Sequence, residues 1–330
     1  MVKSFKNLMM VLFLAASSLL TSCVEERAND QEKAPVLEDY RDNKVEKLNT
    51  IIDINGKEVT YDMNTNDIVA LGCAGDLLAM GIRPLAVDGN ANTTGYEDFY
   101  KGVEILKNTQ PFDPQEVLSY HPKLILTYDT MDEKDLNTLG KLKVPVIPIY
   151  FSTYDYEKRL NYIGEIFGLE KNAEALISYY KDLEDKSLKE LEEMGQEDKS
   201  LTIFTYYQGI TIPPDYNGAF VFNHILYDVL GFKKIKKVED FLNDQHSQAY
   251  ATISNEVIKD YEGDIVLFAT MGDELVIPDV VLTNVGWQAL KAQKENRIGV
   301  NNMLLYSFKD VLYMDAQYDQ LISALKISLK

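Results

Sequence analysis

Histidine is the side chain that most often moves protons or binds metals near neutral pH, and this sequence contains three, His121, His224 and His246. They are far apart and fall in different predicted helices or loops, a pattern that favours neither a zinc site nor an acid–base pair. The sequence also lacks a Walker-type phosphate loop, a G-x-S-x-G nucleophile turn and an H-E-x-x-H zinc motif. We therefore predict no catalytic residue, no metal site and no enzyme activity, with surface or packing roles for the histidines.

Tyrosine is the other side chain with useful chemistry, because it joins an apolar ring to a hydroxyl group. The chain has 21 tyrosines against one tryptophan, and several of them follow predicted strands. This distribution is compatible with an aromatic-lined cleft for a bulky ligand with polar edges. The alternative for any one of these tyrosines is packing in the core or on the surface.

The elements that would position these residues alternate between strands and helices, which predicts parallel sheets. A hairpin at 48–60, with Asn55-Gly56 as a two-residue turn, comes first. Predicted strands then lie at 67–73, 84–88, 124–129, 144–150, 201–207, 264–270 and 297–300, and predicted helices at 75–81, 132–140, 219–230 and 315–329.

A helical run at 154–194 separates two groups of strands. Its second half, from Glu170, has apolar residues at the three-and-four spacing of one helix face, and Gly195 stands where a glycine ends a helix. Roughly 25 residues at 1.5 Å each would span about 37 Å. The segments before and after this run look alike, since each has Glu-Val near the start of a short helix and then a buried strand.

The sequence therefore predicts an α/β fold with two Rossmann-like lobes and parallel sheets, joined by one long helix. The predicted divisions are a signal peptide at 1–22, a flexible acidic tether at 23–47, an N-lobe at 48–153, connecting helices at 154–194 and a C-lobe at 195–330.

The start of the chain has the pattern of a secretory signal, with Lys3 and Lys6 before a short apolar run. Leu20-Thr21-Ser22-Cys23 resembles the bacterial lipoprotein box, which implies that Cys23 is lipidated and anchors an extracytoplasmic protein to the membrane. The alternative is an ordinary signal peptide with an incidental cysteine. Once Cys23 is lipidated only Cys73 remains, so no intramolecular disulfide is expected. The formal net charge of −19 argues against nucleic-acid binding.

Four elements resemble, in the right order, those of the substrate-binding lipoproteins of iron–siderophore, haem and cobalamin ABC importers. This family is the ferrichrome-binding-protein-like class III of periplasmic binding proteins, and the resemblance runs from about Asp67 to the C-terminus. The elements are 68–72 with 77–87, 113–126, Ile253-Ser-Asn-Glu256 with 263–266, and Trp287 to Arg297 with the pattern W-x-x-L-x-A-x-K-x-x-R.

The resemblance implies a ligand held between the lobes and one glutamate on each lobe that pairs with arginines of a permease. Glu256 falls on this position in the C-lobe. In the N-lobe the position falls on Gln115, or on Glu116 if the register slips by one residue. A glutamate at a helix start also has a simpler explanation, since it interacts favourably with the helix dipole.

The ligand loop departs from the family. Hydroxamate-siderophore binders carry a Trp-Gly-Arg-Gly-like loop, whereas here Tyr216 stands near the tryptophan and Ala219 near the arginine. An arginine anchors iron-chelating oxygens by charge-assisted hydrogen bonds, so its absence argues against ordinary hydroxamate recognition. The ligand-binding residues implied by the inter-lobe cleft are Tyr96, Tyr128 and Tyr150 of the N-lobe and Tyr206, Tyr207, Tyr216, Asn217 and Tyr306 of the C-lobe.

These observations together predict a monomeric, lipid-anchored binding protein that captures an iron(III)–siderophore complex as cargo, has no cofactor, and delivers the cargo to an ABC permease. A haem- or cobalamin-binding protein of the same family is the alternative, with Met271 or His224 as a possible haem-iron ligand. A lipid-anchored enzyme of the same two-lobe shape is a more distant alternative, which would need His, Asp and Glu converging in the cleft.

Overall fold

Each half of the protein is built on one β-sheet, as the alternation of strands and helices predicts. The described residues fall within a single compact unit. The computed structural model describes residues 35–88, 97–107, 113–150, 154–196, 198–213, 221–244, 251–272, 274–307 and 309–329.

The N-lobe sheet has five parallel strands in the order β5-β4-β3-β6-β7. Its central strand β3 is buried along its whole length, as expected for a parallel sheet covered on both faces. Only β5 was not predicted, because it is two residues long. The strands are β3 (Ile68–Leu71), β4 (Ala86–Val87), β5 (Glu104–Ile105), β6 (Leu124–Tyr128) and β7 (Val146–Ile149), with helices α1 (Ala74–Ala79), α2 (Pro114–Ser119) and α3 (Glu133–Gly140) between them.

An antiparallel hairpin of β1 (Leu48–Ile52) and β2 (Glu58–Asp62) precedes this sheet, as predicted. The predicted two-residue turn is wrong, because residues 53–57 form a five-residue loop. The Asp53 carboxylate accepts hydrogen bonds from two backbone amides of this loop and so favours the longer connection. Gly56 has a φ of 80°, which glycine adopts without steric cost.

Residues 35–47 lie against the N-lobe, which corrects the prediction of a flexible tether extending to residue 47. The backbone amide of Leu37 donates to a carbonyl of helix α1 at 3.0 Å. The Arg41 guanidinium is nearly fully buried and donates to the Met63 carbonyl at 3.0 Å. The polar composition was misleading because hydrogen bonds hold this segment to the lobe, and its Leu37 packs against the core.

The connecting run consists of two helices, α4 (Tyr156–Phe167) and α5 (Glu170–Glu193). Gly168 ends α4 in the left-handed region at a φ of 64°. The 24 residues of α5 confirm the predicted long helix, and Gly195, at a φ of 73°, follows it as the sequence indicates. The predicted apolar face is largely buried, with Ala173, Leu176, Tyr180 and Leu191 inside the core.

The C-lobe sheet has four strands in the order β11-β10-β8-β9. The first three are parallel, and β9 is an antiparallel edge strand that the sequence analysis did not predict. The strands are β8 (Leu201–Tyr206), β9 (Ile210–Thr211), β10 (Ile265–Thr270) and β11 (Ile298–Asn302), and the helices are α6 (Lys236–Asp244), α7 (Asp279–Leu282), α8 (Val285–Ala289), α9 (Lys291–Lys294) and α10 (Met314–Ser328).

The C-lobe helices differ from prediction in several places, since helices α6 to α9 were not predicted. The described part of the predicted helix at 219–230 contains a π-helical segment, His224–Val229. The Glu-Val element at Glu256 forms a turn followed by a 3₁₀ segment, Ile258–Tyr261, rather than an α-helix. Trp287 is fully buried between two phenylalanine rings, which makes it a core residue.

Candidate functional site

The two lobes meet at segments that follow the carboxyl ends of their parallel strands. Tyr154, which follows β7, stacks on His224 of the C-lobe with ring centroids 4.7 Å apart. Gly75, which follows β3, lies so close to the C-lobe that a Cβ atom there would be 2.6 Å from the Cβ of Asp310. A ligand bound at the strand ends would therefore lie between the lobes, where open α/β sheets place their ligands.

A buried ion pair joins the lobes at this junction. Arg159 of helix α4 donates from Nε to the Asp76 carboxylate of helix α1 at 2.5 Å, and from Nη2 to the Lys309 carbonyl at 2.5 Å. Asp76 also accepts from the backbone amide of Val311 at 2.9 Å. One ion pair therefore connects the N-lobe, the connecting helix and the segment after β11.

The sequence analysis did not find this pair, although a signal for it exists. Arg159 lies on the same helix face as Tyr156, Leu160 and Ile163, which are all buried. A charged residue on an otherwise apolar helix face needs a buried partner, because burying an isolated charge is costly.

Asp310 is a second acid at this junction. It is 7% exposed, and its Oδ1 has no hydrogen-bond partner. Burial and the nearby Asp76 carboxylate raise the pKa of Asp310 well above its ordinary value. The protonated form of Asp310 is therefore favoured, and Asp76 is the hydrogen-bond partner of Arg159.

Four of the predicted ligand-binding tyrosines lie at strand ends with accessible surface. Tyr207 follows β8 and is 44% exposed, whereas Tyr206 is half-buried beside it. Tyr128 ends β6 and is half-buried. The half-buried Tyr150 follows β7 and packs edge-on against Tyr162 at 5.3 Å.

The structure corrects one member of the predicted set. Tyr306 is fully buried, its hydroxyl donates to the Gln317 carbonyl at 2.8 Å, and its ring packs against Phe222 at 4.0 Å. It is therefore a core residue, because the segment after β11 turns inward under helix α10. Three further predicted residues, Tyr96, Tyr216 and Asn217, lie outside the described part of the chain.

Two lysines accompany the aromatic rings, and the sequence analysis did not find them. The Nζ of Lys158 lies 3.9 Å from the centroid of Tyr150, and the Nζ of Lys309 lies 5.0 Å from that of Tyr154. Both are cation–π contacts, which are stronger when the ammonium is desolvated. Lys158 is exposed, whereas Lys309 is only 8% exposed. The contact between Lys309 and Tyr154 could not be predicted from sequence spacing, because the two residues are far apart in the chain.

The two histidines in the described part of the chain, His121 and His224, do not assemble a reactive site. His224 binds Asp228 through Nδ1 at 3.0 Å, His121 is an exposed loop residue, and His246 lies outside the described residues. Within the described ranges, no group of three or more His, Cys, Asp or Glu could hold a metal ion. The same ranges contain no helix that is long and apolar enough to cross a membrane.

The sequence matches the periplasmic binding protein family model over residues 70–300, which is most of the chain. The chain belongs to this family. Its members are substrate-binding proteins of transporters, so the protein is a binding protein and not an enzyme. A comparison with curated proteins finds no significant match.

Solved structures of binding proteins share the two-lobe fold. FhuD from S. pseudintermedius superposes with a TM-score of 0.65 at 21% identity, covering 84% of this chain and 98% of its own. FeuA from Bacillus subtilis, a triscatecholate siderophore binding protein solved with ferri-bacillibactin, gives 0.64 at 20%, with coverages of 84% and 98%. FhuD2 from Staphylococcus aureus with bound ferrioxamine B gives 0.62 at 22%, with coverages of 80% and 99%. At these identities the likeness concerns the fold.

The predicted docking residues of this binding protein lie on its surface. Glu256 is exposed, and a hydrogen bond from the Ser254 hydroxyl lowers the pKa of its carboxyl group. On the N-lobe, Gln115 is exposed, whereas Glu116 is half-buried and its Oε1 accepts from the Lys107 amide at 2.8 Å. Gln115 is thus the more accessible of the two N-lobe candidates.

Proposed function

We propose that this binding protein captures a ferric siderophore between its lobes and delivers it to the permease of an ABC importer. The observation that carries the proposal is the set of accessible tyrosines at the carboxyl ends of strands in both lobes, which meet at those ends. Tyr128 and Tyr150 end or follow strands of the N-lobe, and Tyr206 and Tyr207 end or follow a strand of the C-lobe. Such rings offer apolar faces and hydroxyl donors to a bulky chelate with polar edges.

The charge of the cleft supports an anionic chelate. The exposed Lys158 places its ammonium over the ring of Tyr150, where it would balance the negative oxygens that coordinate iron. No arginine stands in the sequence of the 214–220 loop, so an ammonium would replace the guanidinium of hydroxamate binders. Solved structures of the same fold hold ferrioxamine B and ferri-bacillibactin, which supports a ferric siderophore as the cargo.

Haem is the second candidate cargo. Met271 follows β10, is 41% exposed and could present its thioether to haem iron. His224 is less suited, because its Nδ1 already binds Asp228 and its ring is stacked on Tyr154. A haem complex would show an absorption band that a ferric siderophore lacks. Cobalamin is the third candidate cargo, because the resemblance to this family of binding proteins includes cobalamin binders.

The proposed cellular role also includes anchoring and docking. The protein acts outside the cytoplasm as a monomer, held to the bacterial membrane by a lipid on Cys23, which lies outside the described residues. Glu256 and one of Gln115 and Glu116 bind arginines of the permease. Charge-assisted bidentate pairing of this kind favours correct orientation on the permease.

The test of the proposed cargo is a binding titration of the purified protein. Quenching of tyrosine and tryptophan fluorescence is measured against ferrioxamine B, ferri-bacillibactin, haem and cobalamin. We expect saturable quenching by at least one ferric siderophore, and weaker binding by the Tyr207→Ala variant. Saturable binding of haem or cobalamin alone would show that this ligand, and not a ferric siderophore, is the cargo. The absence of binding to all four would contradict the proposal.

A further inference from the structure

The β1–β2 hairpin has one buried face and one exposed face. Ile51, Val59 and Tyr61 are buried in the core, and the Tyr61 hydroxyl donates to the Ile166 carbonyl of helix α4 at 2.7 Å. Because successive side chains of a strand alternate, the residues between these three form the opposite face. The core therefore fixes the hairpin in place and leaves its outer face exposed to solvent.

The outer face carries two large apolar side chains. Leu48 and Ile52 are 66% and 62% exposed, with the exposed Thr50 between them. Thr50 stands opposite Thr60 in the neighbouring strand, and the two hydroxyl oxygens are 2.8 Å apart. Since these hydroxyls hydrogen-bond to each other, the middle of the face can lie against an apolar surface at little cost.

Apolar exposure is concentrated at the start of the described chain. Thirteen large hydrophobic residues are exposed in the described ranges, and five of them fall between residues 36 and 52. They are Val36, Tyr40, Val45, Leu48 and Ile52. Single exposed apolar residues are ordinary on protein surfaces, whereas several within one short stretch indicate a contact surface.

The proposed lipid anchor is close to this stretch along the chain. Residues 35–47 lie against the N-lobe, so only residues 24–34 stand between Cys23 and the described part of the chain. Eleven residues reach about 40 Å even when fully extended. A lipid on Cys23 would therefore hold the start of the fold near the bilayer, where a small apolar face meets lipid at a high effective concentration.

The charges beside the outer face balance one another. Six charged residues between 44 and 62 are exposed or half-buried, namely Lys44, Lys47, Lys57, Glu46, Glu58 and Asp62. Glu58 and Asp62 stand opposite Ile52 and Leu48 in the hairpin, so negatively charged lipid would not strengthen a contact. A shallow contact leaves both carboxylates in the hydrated headgroup region and depends on the apolar side chains.

We propose that the outer face of the β1–β2 hairpin rests on the bilayer, with Leu48 and Ile52 inserted into the headgroup region. This inference rests on the proposed lipidation of Cys23. Transfer of the two apolar side chains from water stabilises the contact. The lipid and the hairpin then form two attachments, so the protein does not rotate freely on its anchor and its cleft keeps one direction relative to the membrane.

Quenching by labelled lipid tests the inference with the lipidated protein. The protein is purified from membranes of the source bacterium and placed in phosphatidylcholine vesicles, a fraction of whose lipids carry a nitroxide near the headgroup. An environment-sensitive fluorophore is attached to Ile52→Cys in one variant and to Val285→Cys in a control, which is equally exposed but lies on the C-lobe. Cys73 is buried and the Cys23 thiol carries the lipid, so the introduced cysteine reacts.

We expect the nitroxide lipid to quench the fluorophore at position 52 and to leave the one at position 285 unchanged. Because the contact is apolar, quenching at 52 should be the same at low and high salt. Quenching at neither position, or equal quenching at both, in a protein that stays with the vesicles overturns the inference and leaves the anchor standing. A protein that does not stay with the vesicles overturns both.

A different occupant of the face would give its own result. If a second copy of the chain or residues 24–34 cover the face, the emission at position 52 is shifted to the blue but the nitroxide lipid does not quench it. This result also overturns the inference.

A substitution then tests the role of the apolar side chains. Leu48→Thr, combined with the fluorophore at position 52, should reduce the quenching severalfold, because it removes one of the two large apolar groups of the contact. Threonine is favourable in strands, so the hairpin and the melting temperature should be preserved. Val280→Thr, at an exposed position of the C-lobe, should leave the quenching unchanged. Undiminished quenching with Leu48→Thr would overturn the inference.

Discussion

Arg159 donates two hydrogen bonds to Asp76, at 2.5 and 3.3 Å, and both side chains are fully buried. The two residues belong to different parts of the fold, since Asp76 lies in the first helix of the N-lobe and Arg159 in the connecting helix. A pair of this kind is costly to break from one side, because the remaining charge stays buried without a partner.

We expect Arg159→Met to destabilise the protein by about 3–5 kcal/mol, measured as the free energy of unfolding in denaturant. The matched control is Lys123→Met, which removes an exposed pair with Asp67 and should cost at most about 1 kcal/mol. Asp76→Asn should cost less than Arg159→Met, because Asp310 can ionise and take over as the partner of Arg159. Equal effects of Arg159→Met and Lys123→Met would show that the buried pair is not a stabilising link.

The raised pKa of Asp310 predicts a pH-dependent stability with a definite sign. The folded protein keeps this carboxyl protonated at pH values where the unfolded chain loses the proton, so stability falls as pH rises above the ordinary aspartate pKa of about 4. Asp310→Asn should therefore raise the melting temperature near pH 7 and have little effect near pH 4.

Asp264 provides the control of opposite sign. Hydrogen bonds from the Ser200 amide and hydroxyl lower the pKa of Asp264, so its contribution to stability is present near neutral pH and lost in acid. Asp264→Asn should lower the melting temperature near pH 7, and this loss should shrink in acid. Asp310→Asn and Asp264→Asn variants that respond alike to pH would contradict the assignment of the buried proton.

The tyrosines should separate into binding and core residues. Tyr207→Ala should weaken binding of a ferric siderophore about tenfold or less, since such ring contacts contribute on the order of 1 kcal/mol, and should leave the melting temperature nearly unchanged. Tyr306→Ala should instead cost about 3–5 kcal/mol of stability, because it opens a cavity in the core. Fluorescence titration and thermal unfolding measure the two effects. Loss of stability in Tyr207→Ala with unchanged affinity would remove Tyr207 from the cleft.

Delivery of the cargo to the permease should depend on Glu256, whereas the affinity for the cargo should not. Glu256→Ala should lower cellular uptake of a ⁵⁵Fe-labelled siderophore that the protein binds, with affinity and melting temperature unchanged. Gln115→Ala should lower uptake further if Gln115 is the N-lobe contact, and Glu116→Ala should do so if the register slips. Normal uptake by the variant carrying all three substitutions would contradict the docking assignment.

Lipidation of Cys23 predicts the position of the protein in the cell. Cys23→Ser should release a soluble form or leave an unprocessed precursor, because the thiol that accepts the lipid is absent. Fractionation of membranes and mass spectrometry of the product measure this, with Cys73→Ser as a control that should keep the lipid and the membrane association. Unchanged mass and partitioning of the Cys23→Ser variant would contradict the anchor.

The sequence by itself determined the fold class, because strand and helix patterns are local. The apolar runs at β3, β6, β8 and β10, and the uninterrupted helix α5 with Gly195 at its end, depend on residue spacing alone. The tyrosines at strand ends were predictable for the same reason, since the end of a strand can be read along the chain.

Only the tertiary structure decided which of these residues face a cleft. Tyr207 ends one predicted strand and Tyr306 follows another, yet Tyr207 is 44% exposed and Tyr306 is fully buried. The difference depends on how helix α10 covers the segment after β11, which no local pattern contains. The Arg159–Asp76 pair likewise joins residues 83 positions apart, and its formation depends on the packing of three separate elements. Sequence spacing determines which face of a helix or strand is apolar, whereas long-range packing determines which other elements pack against that face.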